Sequence, residues 1–433
     1  MVRRPMTIRR SDSVDPAGQR WHERPSYPWI RLTASLLLGT IGGAGMYVVV
    51  VVLPLVQAEF TTARMGASLP YTMNLIGFAI GSISLGMVSD RFRVWVSVLI
   101  GAAFVAVGFA IAAFAPSLAV FAAGSFVIGI GNSATFAPLV ADISLWFDRR
   151  RGIAVAIVSS GNYLAGGVWP TLSHALIEAY GWRDTYMAIG LVSFALIVAL
   201  AWLLRPTAPA FTSHARATPH AARAPAVAAA ERPLGLPPNG LQALLCIAGV
   251  GCCVAMSMPQ VHIVALCTDL GYGSARGAEM LSVMLGCGVI SRLVSGWISD
   301  HIGGARTLLL GAVLQAIALV LFLPSQSLGV LMVVSALFGL FQGGIVPSYA
   351  MIVREHFRPS ETGTRVGLVI TATLLGMAFG GWVSGALFDW TGSYDAAFVN
   401  GILWNMVTVA IALFLVVRGR PLLRTPVAAG GAA

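Results

Sequence analysis

Twelve apolar runs, each close to the length that crosses a bilayer, alternate with short polar segments along the chain. Their approximate limits are 32–56, 68–88, 94–113, 117–141, 152–176 and 184–204, then 239–265, 278–299, 305–323, 328–353, 363–387 and 395–417. About 20 helical residues cross the hydrocarbon core, so the pattern predicts an all-α membrane protein with twelve transmembrane helices. The run from Leu32 to Val56 is longer than the apolar core of a signal peptide and reads as an uncleaved first helix. Residues 205–238, rich in Pro, Ala and Arg with one aromatic residue, bury too little apolar surface to fold and read as a linker. The expected organisation is a tail at 1–31, a bundle at 32–204, the linker at 205–238, a second bundle at 239–417 and a tail at 418–433.

The two sets of runs repeat one another. "GMVSD" at 86–90 follows the second run and "GWISD" at 296–300 follows the eighth, 210 residues later. "GIG" at 129–131 precedes Pro138, and "GLF" at 339–341 precedes Pro347, again 210 and 209 residues on. Gly181-Trp182-Arg183-Asp184 before the sixth run answers Gly392-Ser393-Tyr394-Asp395 before the twelfth. Three landmarks at one offset predict two pseudo-symmetric six-helix bundles in parallel repeat. Two such halves around a midplane site are built to rock and open to alternate sides.

Composition agrees: 57% of the 433 residues are hydrophobic and 10% charged, and the mean hydropathy is +0.82. That excludes an ordinary soluble domain. The net charge of +10 is carried by arginine alone, for the chain has no lysine. A basic balance can indicate nucleic acid, but these arginines sit in short loops between apolar runs. Three (Arg64, Arg183, Arg276) fall on one face, Arg292 lies within the eighth run, and all others share the opposite face. By the positive-inside rule that face is cytoplasmic, which places both termini and the linker inside an inner (plasma) membrane protein. The Arg149–Arg151 cluster reads as topology-setting charge beside anionic lipid.

No ATP-binding motif, metal-ligand cluster or nucleophile–base pair is apparent, so neither an enzyme nor a cofactor is expected, and "GTIGGAG" at 39–45 reads as close helix packing. The five cysteines lie in or beside apolar runs of the second half without a CxxC pair, and read as small buried residues.

Arg292 is the sharpest candidate site residue. It lies eight residues, about 12 Å, from Asp300 along its helix, too deep for comfortable snorkelling. A charge at that depth costs at least about 2.5 kcal/mol, so it should face a polar cavity. Its guanidinium suits a carboxylate substrate; the competing reading is a structural pair with a neighbouring helix. Tyr47, Asn132, Asn162, Tyr163, Gln260, His262, Gln342 and Tyr349 are the further candidates for lining the cavity, each weighed against a plain helix–helix hydrogen bond. His262 and His174 are candidate carriers of a coupled proton, with Asp142, at the inner end of the fourth run, as the nearest acid. Asp90, Arg91, Asp300 and Arg306, on short loops beside helix ends, read as a cytoplasmic gate; topology-setting charge is the alternative.

The residues resemble the major facilitator superfamily over roughly 32–417. Its loop motif G-x-x-x-D-R-x-G-R-K is matched by Gly86-Met-Val-Ser-Asp90-Arg91-Phe-Arg93, with arginine at the second glycine position, and more closely by Gly296-x-x-x-Asp300-His-Ile-Gly303. Within it, "GNSATFAPLVADISLWFDRRRGIAVAIVSSGNYLAGGVWP" (131–170) and "PQVHIVALCTDLG" (259–271) are similar to the monocarboxylate and oxalate/formate-like branch. Monocarboxylate carriers often have a helix 1 lysine and an aspartate four residues before the helix 8 arginine; this chain has no lysine, and position 288 is glycine. The helix 4 arginine of many proton-coupled exporters would fall near Ser125. The resemblance implies a monomeric, rocker-switch secondary transporter of a small organic anion, a monocarboxylate, with protons as the candidate coupling ion and no nucleic-acid partner. The alternatives are efflux of an apolar or amphipathic compound and a transporter-like membrane sensor.

Reporter fusions after residues 220 and 425 should both give cytoplasmic signals; a periplasmic signal at either position would overturn the topology.

Overall fold

The computed structural model describes residues 26–147, 151–206, 233–323, 327–358 and 361–419, which places most of the linker, the tails beyond them, Arg149 and Arg150 outside the described residues. Twelve helices are long and apolar enough to cross a membrane. They are helix 1 (Tyr27–Glu59), helix 2 (Arg64–Phe92), helix 3 (Val94–Ala113), helix 4 (Leu118–Ile143), helix 5 (Gly152–Tyr180) and helix 6 (Trp182–Leu204). Helix 7 (Pro238–Asp269), helix 8 (Gly273–Ile302), helix 9 (Gly304–Phe322), helix 10 (Leu328–His356), helix 11 (Thr362–Thr391) and helix 12 (Asp395–Arg418) complete the set. No strand occurs among the described residues. We call the side where helix 1 begins and helix 12 ends the terminal face, and its opposite the far face.

The repeat seen in the sequence governs the packing. In the first bundle helix 2 packs on helix 4 and helix 3 on helix 6; in the second, helix 8 packs on helix 10 and helix 9 on helix 12. One contact shows why the glycines recur. A Cβ on Gly129 of helix 4 would collide with the Asn74 carbonyl of helix 2, and a Cβ on Gly339 of helix 10 with the Met284 carbonyl of helix 8. Both partners are offset by one repeat, so the same backbone-to-backbone approach is built twice. Helices 1 and 7 are the most enclosed, with 72% of their most apolar stretch buried against 28% in helix 12, and so form the centre of the molecule.

Four spans are broken. Helix 1 interrupts at Gly43, helix 4 between Ser133 and Ala137, helix 5 at Ser160 and helix 10 at Gly343-Gly344. The breaks in helices 4 and 10 precede Pro138 and Pro347, whose missing N–H leaves a carbonyl one turn earlier without its helical donor. The bundles meet through helix 2 on helix 11, helix 5 on helix 8, and helix 1 on helix 7.

Helix 1 begins five residues before its apolar run, and this changes the standing of Arg31. Assigned above to the tail, it is 1% exposed. Its Nε and Nη2 donate to the two carboxylate oxygens of Asp142 at 2.7 and 2.8 Å, and its Nη1 donates to the Leu204 and Pro206 carbonyls. The guanidinium also lies 4.7 Å from the Trp146 ring centre. Together with the Tyr27 hydroxyl, which donates to the Leu203 carbonyl, it fastens the end of helix 6 to helices 1 and 4.

Removing one partner of such a buried pair leaves an uncompensated charge, so Arg31→Ala or Asp142→Asn should destabilise the fold by about 3–5 kcal/mol. The double replacement Arg31→Met, Asp142→Leu should recover much of the loss. Apparent melting temperatures in detergent check this; equal, near-native values for all three variants would show that the pair is dispensable.

Candidate functional site

Arg292 emerges from helix 8 at the seam between the bundles. Its Nη1 donates to the Ser159 carbonyl of helix 5 at 3.2 Å, and its guanidinium lies 5.1 Å from the Tyr163 ring centre. Its Nε is buried without an acceptor, and among the described residues Arg292 forms no ion pair. The glycine at 288 has a steric cause: a Cβ there would run into the Tyr163 ring. The arginine is therefore held by an aromatic face and one carbonyl, with an unsatisfied donor.

Beside it the first bundle carries a narrow recess. It lies between Gly39 and Gly43 of helix 1, Phe78 of helix 2, the Thr135-Phe136 break of helix 4, and the amides of Asn132 and Asn162. The Tyr47 hydroxyl donates to Asn162 Oδ1 at 3.2 Å. Both amide atoms of Asn132 are buried without a partner. Unpaired polar atoms in a closed interior cost about 1–3 kcal/mol each, so they mark a place for water or a polar ligand group. Asn162 stands three residues after Ser159, about 4.5 Å along helix 5, so the recess and Arg292 are neighbours.

The other candidates lie elsewhere. Gln260 Nε2 donates to Gln342 Oε1 at 2.9 Å, which ties helices 7 and 10 within the second bundle. Tyr349 donates to Cys252 Sγ in the core of that bundle. His262 Nε2 is 2.8 Å from the Gly381 carbonyl of helix 11, and its Nδ1 is buried without a partner. His174 Nε2 is 2.8 Å from Ser274 Oγ, a link from helix 5 to helix 8. Asp142 is occupied by Arg31.

A charged latch is formed on the far face. Among the described residues Asp90, Arg91, Asp300 and Arg306 form no ion pair across the bundles, and the space around Gly86 and Gly296 beside them is open. The far face is tied instead. Arg64 Nη2 reaches both oxygens of Asp269 at 3.0 Å, and the Asp389 carboxylate accepts the Arg64 and Met65 backbone N–H groups at 2.8 Å each. An acid of the second bundle thus caps the first turn of helix 2 in the first bundle, where the helix dipole favours it. Thr72 donates to the Ala378 carbonyl and Thr171 to Ser282 Oγ on the same side. These described ties across the seam gather toward the far face. Sequence reading missed this latch because Arg64 is more than 200 residues from either acid; the one signal was the rarity of arginine on that face.

Two bundles in parallel repeat, a polar seam between them and a latch on one face only define an alternating-access transporter rather than an enzyme. The chain belongs to the Major Facilitator Superfamily, whose family profile matches residues 35–289 and 243–432. It is 27% identical over 379 residues to monocarboxylate transporter 13 of Rattus norvegicus, covering 84% of this chain and 82% of that one. It is also 25% identical over 297 residues to the MFS-type transporter opdF of Penicillium oxalicum, covering 66% of each. The fold matches a bacterial homologue of the human lysosomal transporter Spinster in an inward-facing, occupied conformation, with a TM-score of 0.66, 14% identity and coverage of 91% and 96%. A point mutant of the nucleoside transporter NupG gives a TM-score of 0.69 at 14% identity, with coverage of 91% and 100%.

Breaking the far latch should bias the protein toward opening on that face. Losing charge-assisted hydrogen bonds of about 1.5–3 kcal/mol shifts a two-state equilibrium roughly 10- to 150-fold. With Thr72→Cys as a probe in a background free of native cysteines, Arg64→Ala should speed labelling by a membrane-impermeant thiol reagent added from the far face. An unchanged rate would mean that the latch does not hold the closed state.

Proposed function

We propose that this transporter carries a small organic anion, a monocarboxylate, across the inner membrane by rocker-switch alternating access, working as a monomer with both termini cytoplasmic. One observation carries the reading: an arginine deep in helix 8 that faces the seam without an acid to neutralise it. A guanidinium so placed is completed by a carboxylate, which it grips with two parallel N–H donors. The adjoining recess, with Asn132 unpaired, supplies hydrogen bonds for the rest of a small molecule. Its narrowness favours a short substrate. The likeness to monocarboxylate transporter 13 supports the same class. On this topology the terminal face is the cytoplasmic one, and the latch on the far face fits an inward-facing state.

Protons are the coupling ion in this reading. His174 bridges helices 5 and 8 and His262 bridges helices 7 and 11, so a proton on either is tied to how helices pack. Asp142 is set aside by its pairing with Arg31.

The Ser159 carbonyl contact favours a second reading, in which Arg292 is structural and the cargo is an apolar or amphipathic compound exported from the cell. A relative named for efflux, the Agnestins efflux protein AgnL12 of Paecilomyces divaricatus, is 22% identical over 296 residues, covering 68% of this chain and 65% of that one.

Arg292→Lys and Arg292→Ala distinguish the two. An ammonium keeps the charge but loses the two-pronged geometry, so both variants should weaken monocarboxylate binding roughly 10- to 150-fold. Folded yield should survive in both. Normal affinity in a well-folded Arg292→Ala protein would make the arginine structural and favour efflux.

A further inference from the structure

Cys252 and Cys253 are adjacent on helix 7, and their sulfurs lie 3.6 Å apart. Both side chains are buried. Cys252 Sγ receives the Tyr349 hydroxyl of helix 10 at 3.4 Å and donates to the Gly249 carbonyl at 3.2 Å. Helix 7, which carries both cysteines, packs on helix 1 of the opposite half.

Such a pair has few chemical outlets. A disulfide between neighbouring residues would draw the sulfurs to about 2.05 Å with a narrow range of dihedral angles. Helix 7 runs unbroken from Pro238 to Asp269, and that closure would force its backbone out of helical form at the centre of the molecule. The pair therefore persists as a dithiol. A larger bridging atom relieves the restriction, because two sulfur–arsenic bonds leave the sulfurs well apart, near their present spacing.

We propose that Cys252 and Cys253 form a dithiol site that captures trivalent arsenicals. With the hydrated form of an arylarsine oxide, each thiol forms one arsenic–sulfur bond, and each thiol proton leaves with a displaced hydroxide as water. Two arsenic–oxygen bonds break, two waters are released and arsenic stays trivalent, so no oxidant is needed. The second bond is intramolecular, which raises affinity over a single thiol by about 100-fold or more. The adduct adds bulk midway along helix 7, which packs on helix 1 of the opposite bundle, and so hinders the movement of the bundles against each other.

The experiment uses the full-length protein with Cys246, Cys267 and Cys287 replaced by serine, reconstituted and treated with phenylarsine oxide. Intact mass should show one arylarsenic adduct per chain, stable to excess monothiol and released by a dithiol, with transport lost and then restored in step. Adding Cys252→Ser or Cys253→Ser should raise the concentration required by about 100-fold or more. An adduct stripped by monothiol, or equal sensitivity in the single-cysteine variants, would overturn the site. The monothiol-against-dithiol comparison on the intact pair stands even where a serine variant folds poorly.

Discussion

An arginine inside a bilayer must find compensating partners, and this chain answers that demand in four different ways. Arg31 is neutralised by Asp142 and three backbone or hydroxyl oxygens, and it welds the first bundle together. Arg183 binds Glu59 and the Ala113 and Ala115 carbonyls, closing the far end of the same bundle. Arg64 binds an acid of the opposite bundle and so joins the two halves. Arg292 has a carbonyl and a ring but no acid. The first two pairings lie within a rigid body and survive any rocking; the third breaks with each opening of the far face. The fourth is incomplete in this state. The same physical demand thus separates the pairs within one bundle from the pair between bundles and from Arg292, the proposed binding charge.

The rigid bodies owe their definition to backbone proximity rather than to apolar side chains, since lipid offers those equally apolar surroundings. Gly129 and Gly339 bring helices close enough for a carbonyl to take the place of a side chain. Gly343 and Gly344 stand in the same relation to Ser291 and Ser295 of helix 8, so Arg292 projects from a helix whose flank is fixed against the break in helix 10. A site residue anchored in this way moves with its whole bundle.

The helices and the repeat were legible in the sequence because hydropathy and glycine-proline landmarks are local signals. Helix limits were less so: Tyr27–Arg31 and Thr268-Asp269 are helical although they lie outside the apolar runs, and Arg31 and Asp269 find their partners far along the chain. Arg292 was legible as an anomaly of polarity, and Asn132, Asn162 and Tyr163 do gather near it. Gln260 donates to Gln342, a pairing that no pattern along the chain reveals, and the Gln342 Nε2 is left buried without an acceptor. The far latch was invisible for the same reason. Arg64, Asp269 and Asp389 each look like an ordinary charge at a helix end, and only the folded proximity of helices 2, 7 and 11 makes them one device.

Helix 5 joins these features. Its break at Ser160 falls just after the carbonyl that meets Arg292 and just before Asn162 and Tyr163, which line the recess and pack against Gly288. A straight helix would tie the Ser159 carbonyl into its own ladder; the break turns it toward the second bundle. One neutral carbonyl offers a guanidinium far less than a carboxylate does. In the proposed reading the contact is a placeholder, firm enough to hold Arg292 at the seam and weak enough for an anion to displace. Helix 5 and helix 8 also meet at the far face through Thr171 and Ser282. A ligand that takes over the Arg292 donors loosens the two helices at mid-depth while the far contact still holds, which connects occupancy of the site to the way the bundles move.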